Sequence, residues 1–305
     1  MPTVSVIMPV HNRETRLPGA VESILDQRYR DFELLVVDDG STDRTPSVID
    51  HYAALDRRVR HLGLPVNGGP GLARSMALKA ASGDYVAIMD SDDVALAERL
   101  GRQVSFMEAN PHVTLAGANA IKVMPQGRVQ MKMAPGDAEL KARLLLVDAT
   151  FVHPTVMMRR QFLVQHRLTY SAERICDEDH DLYIRMVQAG ATLANMPDTL
   201  LEYHRHGQNI TANAPHLEEG KTPLRRILLG LYYPDLTQRE AAALAEVLQP
   251  SPRLSAKQAF AGLLAADKAM TMQHSQFGED HQVLNAIIKR YTDPLSRALA
   301  SMMQR

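Results

Sequence analysis

Cysteine is nearly absent: Cys176 is the only one in 305 residues. One thiol excludes a disulfide framework and a cysteine-based zinc site, and it agrees with a reducing compartment. An excess of charge of either sign is lacking too. The 34 basic and 35 acidic residues leave a net charge of −1, which excludes a whole-chain polycation for nucleic acid or a membrane surface. Long apolar runs are missing; those such as residues 227–233 fall far short of the roughly 18 residues a membrane span needs. No basic stretch followed by an apolar one opens the chain, because Val4–Val10 already reads as a strand. The expectation is a cytoplasmic protein without a signal peptide. There is no internal repeat and no low-complexity tract.

What is present is an ordinary globular composition, 45% apolar and 23% charged, enough to bury a core. At about 150 residues per domain the length suggests two domains, or one large domain with an appendage. The texture divides near residue 212. Before it, short apolar runs alternate with helical patterns. Val4–Val10, residues 32–37 and residues 85–89 are continuous apolar runs, as befits strands covered on both faces. Leu17, Val21, Ile24 and Leu25 recur at helical spacing, Thr45-Pro46 opens a second helix, and residues 70–81 read as a third. A helix carrying Leu96, Leu100, Val104 and Met107 follows. This alternation predicts an α/β fold with a mostly parallel sheet flanked by helices. Such sheets bind ligands at the carboxyl ends of their strands, and two of the three strand ends here carry clustered aspartates. Past residue 110 the pattern loosens. Residues 121–124 and 129–133 flank Pro125-Gln126-Gly127 as a hairpin, residues 137–147 look helical, residues 155–158 read as a short strand, and Leu182, Met186 and Val187 suit a helix ending at Gly190. From residue 213 only Ala- and Leu-rich helical patterns follow, one opened by the capping box Thr237-Gln238-Arg239-Glu240. The expected organisation is a domain over 1–212, with halves 1–110 and 111–212, and an all-helical C-terminal appendage over 213–305 for packing or self-association into a homo-oligomer.

Five motifs carry chemistry. Asp90-Ser91-Asp92 closes the third strand. Carboxylates at i and i+2 of an extended segment project to one side and repel each other, more so as the site dries out. A divalent cation that prefers oxygen relieves that repulsion and can clamp a diphosphate; the plain alternative is that Asp92 or Asp93 caps the next helix. Asp38-Asp39-Gly40-Ser41-Thr42-Asp43 closes the second strand, where a carboxylate can accept hydrogen bonds from a base or a ribose, although the same residues also form turns. Asn67-Gly68-Gly69-Pro70-Gly71-Leu72-Ala73-Arg74 is a glycine-rich start to a helix whose N–H groups favour anions. Arg74 suits a phosphate or a loop carboxylate, but the stretch is neither a Walker loop nor Gly-x-Gly-x-x-Gly. Asp177-Glu178-Asp179-His180-Asp181 sets four carboxylates at a helix start, where the dipole alone favours them. Crowding raises the pKa of some members, as suits a general base. His204-Arg205-His206 follows the apolar residues 200–203; a histidine there completes a metal site, contacts a phosphate or is structural.

Their order says more than any one of them. Val4-Ser5-Val6-Ile7-Met8-Pro9-Val10-His11-Asn12, then residues 36–43, residues 67–74, Gly83-Asp84-Tyr85 and Asp90-Ser91-Asp92-Asp93 together resemble the inverting family 2 glycosyltransferases with the GT-A fold. Glu178-Asp179-His180-Asp181-Leu182 is similar to that family's Glu-Asp motif, and Tyr203-His204-Arg205-His206-Gly207-Gln208-Asn209-Ile210-Thr211 to its late Tyr-Arg-x-His segment. The resemblance covers about residues 3–212. It implies that Pro9, Val10 and Asn12 hold the nucleoside with Asp39, which faces the base, and that Arg74 supports the nucleotide pocket near Asp39. Asp90, with Ser91, would lie by the ribose and metal. Asp92 would ligate a divalent cation, Mn2+ or Mg2+, on the diphosphate, with His206 as a further ligand. Asp179 would be the general base, and Glu178 and His153 would fall on the acceptor side. His180 stands where the family often has an aromatic residue, a departure at the acceptor contacts. The implied partners are a nucleotide-sugar donor, a UDP-sugar first among them, and a glycan or glycolipid acceptor of polysaccharide biosynthesis. A lipid-linked acceptor would bring the enzyme to the inner face of a membrane by peripheral contact. Two rival readings are a non-catalytic sugar-nucleotide-binding protein, distinguished by binding without transfer, and an Asp-dependent phosphotransferase, distinguished by hydrolysis of a generic phosphate ester.

Overall fold

The computed structural model describes residues 1–146, 150–173, 177–207, 217–249, 254–272 and 281–303. Cys176 and residues 208–211 of the late motif lie outside them. The chain divides into two compact units: Met1–Pro135 with Phe151–Ala214, and Gly136–Thr150 with Pro215–Arg305. The division is therefore not one cut near residue 212, because an internal segment joins the C-terminal helices.

The first unit begins with three strand–helix repeats: β1 (Val4–Val10), α1 (Leu17–Leu25), β2 (Phe32–Asp39), α2 (Thr45–Leu55), β3 (Val59–Leu64), α3 (Pro70–Ala80) and then β4 (Tyr85–Ile88). β1, β2 and β4 are buried at every position, which is why their sequences run apolar without alternation. β3 buries only Val59, carries Arg60 and His61 side by side in its middle, and is paired on one side only; that is why no continuous run marks it in the sequence. Each of the three helices carries a proline in its first turn, where the missing N–H costs no hydrogen bond. The unit continues through β5 (Val94–Ala95), α4 (Arg99–Ala109) and the hairpin of β6 (Leu115–Met124) and β7 (Gly127–Met131). The chain then leaves for the other unit with α5 (Asp137–Leu144) and returns with β8 (Met157–Arg159), α6 (Arg160–Gln165), α7 (Glu178–Gln188) and β9 (Leu193–His204).

Among the described residues nine strands form one sheet in the order β3-β2-β1-β4-β8-β6-β9-β5, with β7 on β6. β3, β2, β1 and β4 are parallel to their neighbours. β8 is antiparallel to both β4 and β6, β9 runs parallel to β6, and β7 and β5 pair antiparallel with β6 and β9, so the sheet is mixed. The expected strand at residues 155–158 is shifted: His153–Thr155 is a 3-10 turn and the strand follows it. Chain order reverses between β1 and β4, the kind of switch point outside which α/β sheets bind ligands.

The second unit packs α5 with α8 (Leu217–Tyr232), α9 (Gln238–Val247), α10 (Ala256–Thr271) and α11 (His281–Met303). Arg225, fully buried on α8, donates to the carbonyls of Leu145 and Leu146 that end α5, and Tyr232 donates to the Lys141 carbonyl. These bonds satisfy helix-terminal acceptors that nothing in the sequence around α5 could reach. Capping boxes open α9 at Thr237 and α10 at Ser255. No helix among the described residues is long and apolar enough to cross a membrane.

Candidate active site

The loops after β1, β2 and β3 are laced together at the carboxyl edge of the sheet. Pro9 sits in a central strand without loss. Ile7 directs its carbonyl to Met89 beside β4, and Pro9, two residues on, faces the same way where that ladder has ended. Asn12 follows with φ +50°. Its side-chain oxygen accepts the Thr42 N–H at 2.8 Å, and its own N–H donates to Ser41 Oγ at 2.9 Å. His11 donates from Nδ1 to the Asp39 carbonyl at 2.8 Å. The Asp39 carboxylate accepts N–H bonds from Gly68 (2.7 Å) and Gly69 (2.9 Å). Gly40 has φ +65°, and a Cβ there would stand 2.5 Å from the Val66 carbonyl carbon, so the close approach of the two loops requires glycine. The aspartate turn is thus a turn and a loop clasp at once.

Asp90-Ser91-Asp92 is not extended. β4 ends at Ile88, the chain turns at Ser91 and Asp92, and the two carboxylates take different partners. Asp90 accepts from Arg74 Nη2 at 2.7 Å. Asp92 Oδ2 lies 2.9 Å from His206 Nε2 and 3.8 Å from Arg13 Nε. Asp93, 1% exposed, accepts the His204 N–H at 2.7 Å. This last bond ties the end of β9 to the end of β4 and brings His206 to Asp92. Repulsion remains: burial and Asp90 push the Asp92 carboxyl above its usual range, against His206 and Arg13. Burial and Asp90 likewise raise Asp93 well above that range.

Arg74 does not pair with Asp39. From α3 it bridges Asp90 and Glu178, and it is 6% exposed. The bond to Glu178 spans 104 residues of sequence and joins the nucleotide half to the start of α7. Two carboxylates outweigh the burial that would depress the guanidinium, and its pKa is raised. Removing the charge leaves a buried Glu178 and a half-buried Asp90 without their shared counter-charge, so Arg74→Met should lower stability by about 3–5 kcal/mol in urea unfolding. Adding Glu178→Gln should restore part of the loss; no recovery would show that the ion pair is not the cause.

Asp179 follows Glu178. Its Oδ1 accepts the His180 N–H at 2.8 Å and lies 3.3 Å from His180 Nδ1. Burial pushes the carboxyl up, but the His180 ring and its N–H outweigh burial and hold Asp179 below the usual carboxylate range. Burial prevails at Glu178 and raises it despite Arg74. The crowded acids therefore split differently from the simple expectation: the raised member is Glu178, and Asp179 stays ionised. His153 sits behind this group, with Nδ1 at 2.6 Å from the Tyr183 hydroxyl and Nε2 at 3.5 Å from that of Tyr170. Burial first, then Arg74, lowers its pKa to about 3, so it is neutral. Sequence reasoning read Asp93 only as a cap and gave Tyr170 and Tyr183 no part; each acts through partners far along the chain.

Residues 5–168 match the model of the family described as Glycosyl transferase family 2. The chain belongs to that family. Family 2 relatives include an uncharacterized glycosyltransferase of Haemophilus influenzae, 35% identical over 161 residues that cover 53% of this chain and 64% of that protein. A putative teichuronic acid biosynthesis glycosyltransferase of Bacillus subtilis, TuaG, is 30% identical over 213 residues, 70% of this chain and 82% of that protein. Among solved structures, S. aureus TarS 1–349 in complex with UDP-GlcNAc has a TM-score of 0.67 at 20% identity, covering 99% of this chain and 91% of that one. Mannosyltransferase PcManGT of Pyrobaculum calidifontis, in complex with GDP-Man and Mn2+, has a TM-score of 0.57 at 20% identity, with 98% and 87% covered. At that identity the likeness establishes the fold, which is the GT-A glycosyltransferase fold; the enzyme class follows from the family.

The donor set suits the divalent cation that family 2 implies. No group of three or more His, Cys, Asp or Glu side chains converges for a metal among the described residues. Asp92 and His206 alone offer one carboxylate and one imidazole at hydrogen-bond distance, which leaves most positions to diphosphate oxygens and water, as Mg2+ or Mn2+ prefers. The raised pKa of Asp92 marks a carboxylate whose ionised form a cation would stabilise.

Proposed function

We propose that this family 2 enzyme is an inverting transferase that moves a sugar from a UDP-sugar to a hydroxyl of a glycan or glycolipid. The observation that carries this reading is the Arg74 bridge, which joins Asp90 after β4 to Glu178, the residue next to Asp179 at the start of α7. Pro9, Val10, Asn12 and Asp39 form the nucleoside loop, Asp39 meeting the base; Asp90 and Ser91 meet the ribose. Asp92 and His206 hold the cation, which supplies Lewis-acid stabilisation of the diphosphate. Asp179, ionised at neutral pH, takes the proton of the attacking hydroxyl. Glu178 holds Arg74 and, through the start of α7, the position of Asp179. His153, packed against Tyr170 and Tyr183, lies on the acceptor side and steadies α7 through its contact with the Tyr183 hydroxyl.

A single displacement with the base opposite the leaving group inverts the anomeric centre. An NMR spectrum of the product should show the configuration opposite to the donor's; a retained configuration would discard the scheme. Thermal shift with UDP-, dTDP- and GDP-sugars, with and without Mn2+, identifies the donor, because a ligand at a hundred times its Kd stabilises by about 2.7 kcal/mol. The relatives named for teichuronic acid and O-antigen biosynthesis support a surface polysaccharide intermediate as acceptor.

A further inference from the structure

Arg13 belongs to none of the motifs above. It follows the left-handed Asn12 at the end of β1. Its N–H donates to Thr45 Oγ1 at 2.9 Å and its Nη1 to the Asn12 carbonyl at 3.1 Å. These bonds turn the side chain back across the strand ends, where Nε stands 3.8 Å from Asp92 Oδ2 and 18% of the side chain stays open to solvent. The other arginine of the site, Arg74, is committed to Asp90 and Glu178.

We propose that Arg13 is a substrate-contacting residue that binds the donor's diphosphate and stabilises the nucleoside diphosphate as it leaves. The inference rests on the reading that Asp92 holds the cation. A nucleotide sugar brings about two negative charges and Asp92 about one more, and a divalent cation offsets only two of the three. Arg13 offsets the remainder from a position adjacent to the cation's own ligand. In the free protein its charge faces Asp92; when a cation takes that carboxylate, the guanidinium turns to the phosphate oxygens, whose geometry its planar fork matches. The need grows during reaction. The acceptor oxygen bonds to the anomeric carbon, its proton passes to Asp179, and the pair of the breaking bond goes to the β-phosphate oxygen, which gains negative charge beside Arg13.

The test is calorimetric titration of UDP and of UMP, each with Mn2+, into the full chain and its Arg13→Gln and Arg13→Lys variants. A lost charge-assisted bond corresponds to about tenfold or more in affinity. UDP should weaken by at least about that much in Arg13→Gln, while UMP changes by less than about threefold. Arg13→Lys should fall between, because a point charge lacks the fork. The ratio of the two affinities does not depend on the fraction of protein folded. An unchanged UDP-to-UMP ratio in Arg13→Gln, or an equal loss of both ligands, would overturn the assignment, the second by showing that Arg13 only shapes the loop. If the wild type binds UMP and UDP alike, the diphosphate site fails; if it binds neither UDP, dTDP nor GDP, the donor reading fails as well.

Discussion

Asp179→Asn should bind nucleotide sugar as the wild type does and lose transfer, with kcat lower by about 10²–10⁴, the usual contribution of a general base. Asparagine keeps the shape and the oxygen that accepts the His180 N–H, so the change removes the charge, and the basicity with it. Equal losses in kcat and kcat/KM, measured with a saturating donor, are the signature of an interaction made only in the transition state. The neighbouring acid supplies the control. Glu178→Gln breaks a buried ion pair with Arg74, and Asp179→Asn removes a carboxylate the fold holds below its usual range, which also costs stability; both variants are therefore assayed at a temperature where each is fully folded. Normal turnover in Asp179→Asn, with loss in Asp177→Asn or a stably folded Glu178→Gln, would transfer the role of base. The pH profile adds a check. The folded-state pKa of Asp179 lies below the usual carboxylate range, so it is deprotonated from below about pH 4 upward, and an acid limb of kcat/KM between pH 6 and 7 would belong to another group.

Asp92→Ala should abolish the part of donor affinity that depends on metal. In calorimetry with Mn2+, UDP-sugar binding by the variant should fall to the level the wild type shows in chelator, leaving what Asp39 and the Asn12 loop provide. The carboxylate is the acceptor of the pair with His206; without it a single imidazole is left to ligate, and the nearby Arg13 guanidinium repels a cation. Burial, and after it Asp90, already disfavour the ionised Asp92 carboxyl, so its removal should leave the protein no less stable. Wild-type affinity with Mn2+ in that variant would refute the metal assignment.

The sequence disclosed the elements whose signals are local. The buried runs of β1, β2 and β4, the prolines that open three helices, the hairpin after Met124 and the box at Thr237 each declare themselves within a few residues, because covered strands and capped helices constrain their own composition. β3 escaped because an edge strand with Arg60 and His61 has no such constraint. The aspartates after β4 were visible as a group but not as individuals. Asp90, Asp92 and Asp93 pair with Arg74, His206 and the His204 N–H, and no spacing rule distributes three adjacent acids among partners more than a dozen residues away.

What the sequence determined by itself was the kind of fold and the ordered set of loops at its strand ends, since both follow from local pattern and chain order. Tertiary structure alone decided that Arg74 serves Asp90 and Glu178 instead of Asp39, that Asp179 stays ionised beside a Glu178 pushed the other way, that residues 136–150 join the C-terminal helices, and that Arg13 faces Asp92. The reason is physical. A buried charge is acceptable only where an opposite charge or a set of donors meets it, and which group meets it depends on how the strands and helices pack.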